Sequence, residues 1–189
     1  MTRAFIISAV LALQSSFATA AEPDAALQGV IDTLILPWVG DAVLTEAINA
    51  QNATTADYNE ARILELDQVW RAEVGTGGSD LVDSVLTSAA ADFLRSQVVA
   101  SDGALTEIFI MDQHGLNVAA SNPTSDYWQG DEAKFQQTYS VGPDAVHVSE
   151  IEFDESSQSY QAQVSITLTD SSGAPIGALT VGINAELIM

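Results

Sequence analysis

Cysteine is absent from all 189 residues, which excludes disulfides, thiol catalysis and thiolate metal sites together. Basic residues are nearly absent: five Lys and Arg stand against 26 Asp and Glu, for a formal net charge of −21. A phosphate-binding surface needs clustered Lys and Arg, so nucleic acid is excluded as a partner. Anionic membrane surfaces are disfavoured for the same reason, and the acidity itself favours solubility. Histidine occurs twice, as His114 and His147. No Gly-x-Ser-x-Gly is present, no paired histidines offer a zinc site and no EF-hand spacing occurs. The expectation is no enzyme, no catalytic residue, no metal and no cofactor.

Long apolar runs are also missing, with one exception. Arg3 precedes an apolar stretch from Ala4 to Leu13, and Ala18-Thr-Ala20 forms a small-residue cleavage site before Ala21. Residues 1–20 therefore read as a cleavable signal peptide, because the run is shorter than the roughly 20 residues a membrane span needs. An uncleaved anchor is the alternative. The mature chain is expected in the periplasm or secreted, with no direct membrane span.

What is present divides by period. Over 21–103 the apolar spacing is helical. Leu27, Val30, Ile31, Leu34 and Ile35 share one face, and Pro37 is expected to end that helix. A second helix is expected over Asp41–Gln51. Thr54-Thr-Ala-Asp57 reads as a capping box opening a third, and Ser79 as the cap of a single long helix through Leu94. Asn52-Ala-Thr54 is a glycosylation sequon by pattern alone.

From Ala104 to Met189 the period is two, with Asp-x-x-Gly turns at Asp112–Gly115 and Asp170–Gly173. The fold class is α+β: N-terminal helices packed on a five-stranded antiparallel sheet. One sheet face is aliphatic. The other is expected to carry Asn117, Ala119, Gln163, Ser165, Thr167, Ala178, Thr180 and Gly182, which are short and uncharged. An insert over 122–140 supplies Tyr127, Trp128, Phe135 and Tyr139 as a roof for that floor, and a walled concavity with a few aimed polar groups suits a small ligand. A bulge is expected near Ser149, where the apolar register switches between Val148 and Ile151.

These stretches resemble the Cache (PDC) sensor domains, PAS-like extracytoplasmic modules of bacterial chemoreceptors and histidine kinases. The residues that carry the resemblance are Glu107–Gly115, Ser125–Glu132, Phe153–Ser156, and the strand pair Gln163–Leu168 and Ile176–Gly182. Ala50–Asn52 and Leu66–Trp70 resemble the helical lead-in of that group. The resemblance implies a ligand held between sheet and insert. It also implies communication with a membrane-bound receptor, kinase or transporter. An arginine usual in amino-acid-binding members has no counterpart here. Candidate ligand-binding residues are Tyr127, Trp128, Lys134, Tyr139, Asp154, Gln163 and Ser165. Lys134 would meet an anion or else balance Asp131 or Glu132. Asp154 would meet an amine or else cap a turn. The ligand is unidentified, and a structural or interaction module on the same fold is the competing reading.

Overall fold

The computed structural model describes residues 25–154 and 158–187, so the expected leader lies outside the described residues. Six helices and six strands follow in order: α1 (Ala25–Val30), α2 (Ala42–Thr55), α3 (Glu60–Glu73), α4 (Asp80–Leu86), α5 (Ala89–Ala100), β1 (Leu105–Met111), β2 (Asn117–Ala120), α6 (Ala133–Gln136), β3 (Val146–Val148), β4 (Glu152–Asp154), β5 (Ser159–Thr169) and β6 (Pro175–Asn184). A π-helical turn, Ile31–Ile35, continues α1 and stops just before Pro37. A 3-10 turn, Ala185–Leu187, follows β6. No described helix is long and apolar enough to cross a membrane.

Caps decide the helix boundaries, and two differ from the sequence expectation. Thr54 and Thr55 do not open α3. Their hydroxyls donate to the carbonyls of Ala50 and Gln51, so both complete α2. Asn59 is the cap of α3, its side chain accepting from the Arg62 amide at 3.0 Å. The long helix expected after Ser79 is two: Ser79 caps α4, and Ser88 caps α5 through the Ala91 amide. A second serine cap in mid-pattern lets the chain turn while keeping its apolar residues inward.

The sheet is antiparallel in the order β2-β1-β6-β5-β3, with β4 also on β5. One of the five expected strands, the first after the insert, is split: β3 and β4 share one edge of β5 and are separated by Ser149–Ile151. That break is the bulge the register switch implied. Both Asp-x-x-Gly turns close as expected. Gly115 has φ +80° and Gly173 φ +83°. Asp112 Oδ1 accepts from the amides of His114 and Leu116, and Asp170 Oδ1 from those of Ser172 and Ala174. These bonds hold the Asp170 carboxyl below its usual pKa, the Ser172 side chain contributing most. Asp112 is further bound to α2: its Oδ2 accepts from the Thr55 hydroxyl at 2.9 Å and the Gln51 side-chain amide at 3.2 Å.

Apolar residues fill both faces. Ile108, Ile110, Val164, Ile166, Leu179, Val181 and Ile183 pack against α1, the π turn, α2 and α5. On the opposite face Phe109, Met111 and Ala178 pack with Ile63 and Trp70 of α3, Val82 and Val85 of α4, and Tyr127 and Phe135 of the insert. Full burial of side chains such as these stabilises the fold by about 1.5–3 kcal/mol each. Ala119 belongs to the first face, not to the polar floor. The register of β1 and β2 shifts between Ile110 and Met111, so Ala119 pairs Ile110 while Asn117 pairs Met111.

Candidate functional site

Two buried acids set the geometry of the second face. Asp67 of α3 sits with Ile63 and Trp70 on the inward side of its helix. Its Oδ1 accepts from the backbone amides of Tyr127 (3.0 Å) and Trp128 (3.1 Å), and its Oδ2 from Arg71 Nε (2.8 Å). Trp70 lies on the same helix, donates from Nε1 to the Thr124 carbonyl at 2.9 Å and stacks on Tyr127 at 5.8 Å. The start of the insert is thereby pinned to α3.

It is pinned to the β1–β2 turn as well. Trp128 Nε1 donates to the His114 carbonyl (2.9 Å) and the Gln129 amide to the Gly115 carbonyl (2.8 Å). Leu116 and Trp128 form an antiparallel bridge. The two backbones approach so closely that a Cβ on Gly115 would stand 2.5 Å from Gly130 Cα, and one on Gly130 2.5 Å from the His114 carbonyl. Only glycine fits at either position.

The second acid, Glu107 of β1, is 5% exposed. Its Oε1 accepts from Gln161 Nε2 at 2.7 Å and Gln163 Nε2 at 3.0 Å, while the Thr106 hydroxyl donates to Gln161 Oε1. These side chains cross Gly182, where an added Cβ would fall 2.4 Å from Gln161 Oε1. The short floor residue thus serves neighbours that lie over it. Further along, Ser165 and Thr180 are fully buried and joined through their hydroxyls at 2.9 Å.

Beyond the glutamine pair the face opens into a cavity of about 290 Å³. The insert contributes Glu132, Ala133 and Lys134. The β3 edge and its bulge contribute His147 and Ser149, β4 contributes Glu152 and Phe153, and β5 contributes Gln161 and Gln163. Lys134 Nζ lies 3.0 Å from Glu132 Oε2, 3.2 Å from Gln129 Oε1 and 5.5 Å from the centre of the Phe109 ring. His147 Nδ1 is buried without a hydrogen-bond partner. Burial, then Lys134, holds the His147 pKa below its ordinary 6.5. The Ser149 hydroxyl donates to the Glu150 carbonyl and accepts from the Gln163 amide, so it is held by backbone groups rather than by a general base.

Of the candidate residues, Lys134 and Gln163 meet in this cavity. Tyr127 does not: its ring is 5% exposed and packed on Trp70, and burial raises its pKa well above 10. Trp128 is committed to the His114 carbonyl. Tyr139 stacks on Phe135 at 5.2 Å, with its pKa raised by burial, and Ser165 is sealed beside Thr180. Asp154 ends β4 opposite Ser159. The aromatic roof therefore closes the centre of the floor, and the hollow is displaced toward the β3–β4 edge. Sequence reasoning missed Glu132, Ser149 and Glu152 as lining residues and Glu107 beneath them. Glu107 did carry a signal, as the lone charge in the strand Leu105–Met111.

Lys134 is held by Glu132, the balancing partner that the sequence offered beside a ligand anion. Asn52 also has a structural task. Its amide donates to the Ile176 carbonyl at 2.7 Å and its Oδ1 accepts from the Gln113 amide, which ties α2 to the sheet and occupies the sequon side chain. His114 Nε2 lies 3.0 Å from the Thr55 carbonyl, and His114 does not line the cavity. Among the described residues, no group of three His, Cys, Asp or Glu side chains gathers as a metal site.

No family model matches the chain, and comparison with curated proteins finds no match. Solved structures of sensor domains resemble it at low identity. The ligand-binding domain of a Campylobacter jejuni chemoreceptor in complex with 4-methylisoleucine shares 13% identity at TM-score 0.41, covering 80% of this chain and 64% of that one. The sensor domain of the Vibrio cholerae histidine kinase DctB shares 12% at 0.41, covering 78% and 55%. The ligand-binding domain of the Pseudomonas fluorescens chemoreceptor CtaA with L-alanine shares 12% at 0.40, covering 80% and 60%. These are ligand-binding or sensor domains of two chemoreceptors and a histidine kinase. The chain spans between about half and two thirds of each, and the likeness transfers neither ligand nor partner.

Proposed function

We propose that this chain is a small-molecule-binding sensor module, exported to the periplasm or secreted, that reports to a membrane-bound receptor, kinase or transporter. The observation that carries the reading is the cavity of about 290 Å³ between insert and sheet edge, with ammonium, imidazole, carboxylate and amide groups converging on it. That volume lies at the small end for ligand sites and suits a compact polar guest. Because Glu132 already neutralises Lys134, a guest with both donors and acceptors matches the lining better than a bare anion. The Ser149 hydroxyl is engaged by backbone groups and the buried His147 Nδ1 has no hydrogen-bond partner, so the two are not paired as nucleophile and base. Binding rather than catalysis is the reading this supports.

The competing reading, an interaction module with no small ligand, draws on the closed centre of the floor, where Phe135 and Tyr127 already fill the space. A thermal-shift screen of carboxylates, amines, purines and osmolytes separates the two. A ligand at 100 times its Kd stabilises the native state by about 2.7 kcal/mol and raises the Tm accordingly. Lys134→Met and Gln163→Leu are expected to weaken the hit about tenfold each; Lys134→Met leaves the Tm of the free protein close to that of the parent, whereas Gln163→Leu lowers it because the buried Glu107 loses a donor. An empty screen, or a hit that both variants bind unchanged, defeats the sensor reading.

A further inference from the structure

The helix-side face of β5 is covered along most of its length and bare at one end. Ala162, Val164, Ile166 and Leu168 are at most 9% exposed, yet Tyr160 on the same face is 63% exposed. Around it Phe153 (49%) and Ile151 (43%) are also open to solvent. Phe153 and Tyr160 face each other across the β4–β5 pair with ring centres 5.3 Å apart. With Ala185 they line a groove of about 550 Å³, rimmed by Asn184 and Glu186. The strand edge beside it is unfinished too. Ala145 and Ser149 bond to β5 through the Thr167 amide and the Gln163 carbonyl, so the backbone groups of Val146 and Val148 point away from the sheet.

Charge selects the occupant. Glu186 rims the groove, Glu150 and Glu152 flank Ile151 in the sequence, and no Lys or Arg lines it. A second copy would set those acids against themselves, and an anionic bilayer would be repelled. We propose that this groove and edge dock an extended, basic and apolar segment of a partner protein. Its aliphatic side chains seat against Tyr160 and Ile151, its cations meet Glu150 and Glu186, and its backbone pairs with the β3 edge. The proposal supplies the partner half of the sensor reading and holds whether or not the cavity takes a ligand.

The test uses the full chain and a fluorescein-labelled peptide of four Lys-Val repeats, with octalysine and a Glu-Val repeat as controls, read by anisotropy. The Lys-Val peptide is expected to bind at least about tenfold more tightly than either control. Tyr160→Ser and Ile151→Ser each lower its affinity about fivefold or more, Glu186→Lys lowers it through charge alone, and Lys134→Met leaves it unchanged. Unaltered circular dichroism in Tyr160→Ser and Glu186→Lys shows that lost binding is not lost folding. Equal affinity for octalysine would reduce the effect to bulk charge and overturn the proposal. So would unchanged binding in Tyr160→Ser and Ile151→Ser, or a concentration-dependent dimer that Tyr160→Ser dissolves, which would give the face to a second copy. A failed ligand screen beside successful peptide binding would defeat the sensor reading alone.

Discussion

At the β2 end of the second sheet face, the insert is pinned to its neighbours. Trp70 stacks on Tyr127, Asp67 holds two insert amides, and Gly115 meets Gly130 backbone to backbone. At the β5 end of the same face, Lys134, His147, Glu152 and Gln163 stand around empty space. The insert crosses both ends, and the difference lies in what fixes it. Over Tyr127–Gly130 it is anchored by buried donors and acceptors from two separate elements. Over Glu132–Lys134 it is held by side-chain contacts that are partly solvated. Rigid attachment on one side leaves the other free to be shaped for a guest, since the anchored end preserves the fold whatever the cavity contains.

Substitutions can break that contrast. The largest effect is expected from Trp70→Ala, which removes a fully buried indole and leaves the Thr124 carbonyl without its donor. A loss of about 3–5 kcal/mol is expected in urea denaturation. A loss below about 1 kcal/mol would mean that the β2 end is not the anchored one. Gly130→Ala comes next, at about 1–3 kcal/mol, because the new methyl meets the His114 carbonyl and the Trp128 indole. The same denaturation midpoint reads it, and an unchanged midpoint would refute the close backbone approach.

His147→Gln is the smallest and the most diagnostic of the cavity end. Burial and Lys134 lower the folded-state pKa of His147, so below pH of about 6.5 the unfolded chain binds a proton that the folded chain refuses. Stability from this site is therefore present above that pH and lost as pH falls through it. Relative to the parent, His147→Gln is expected to gain stability between about pH 7 and about pH 5, with the shared carboxylates cancelling in the difference. A stability gap that stays constant over that range would show His147 to be freely solvated.

Local chemistry makes much of this legible in the sequence. The helical and two-residue periods separate at Ala104, the Asp-x-x-Gly turns need only their own four residues, and the register switch at Val148–Ile151 marks the bulge. Lys134 and Gln163 are recoverable because one is the last basic residue and the other sits on a polar strand face. Contacts between residues about 50 to 60 positions apart are not legible, such as Asp67 with Tyr127 and Glu107 with Gln161. Both acids nevertheless stand in places where acids are costly. Asp67 shares the helical face of Ile63 and Trp70, and Glu107 interrupts an otherwise apolar strand. A charge on a face due for burial marks a partner elsewhere in the chain. Without that partner in view, Tyr127 and Trp128 read as ligand groups.

The paired turns carry a last implication. Asp112 and Asp170 close their hairpins by the same bonds, but only Asp112 is also gripped by Thr55 and Gln51 of a neighbouring helix. Asp170 at the second tip bonds within its own loop, which makes Ser171–Gly173 the more easily opened of the two tips. The molecule has one soft corner and one hard one, written with the same four-residue recipe.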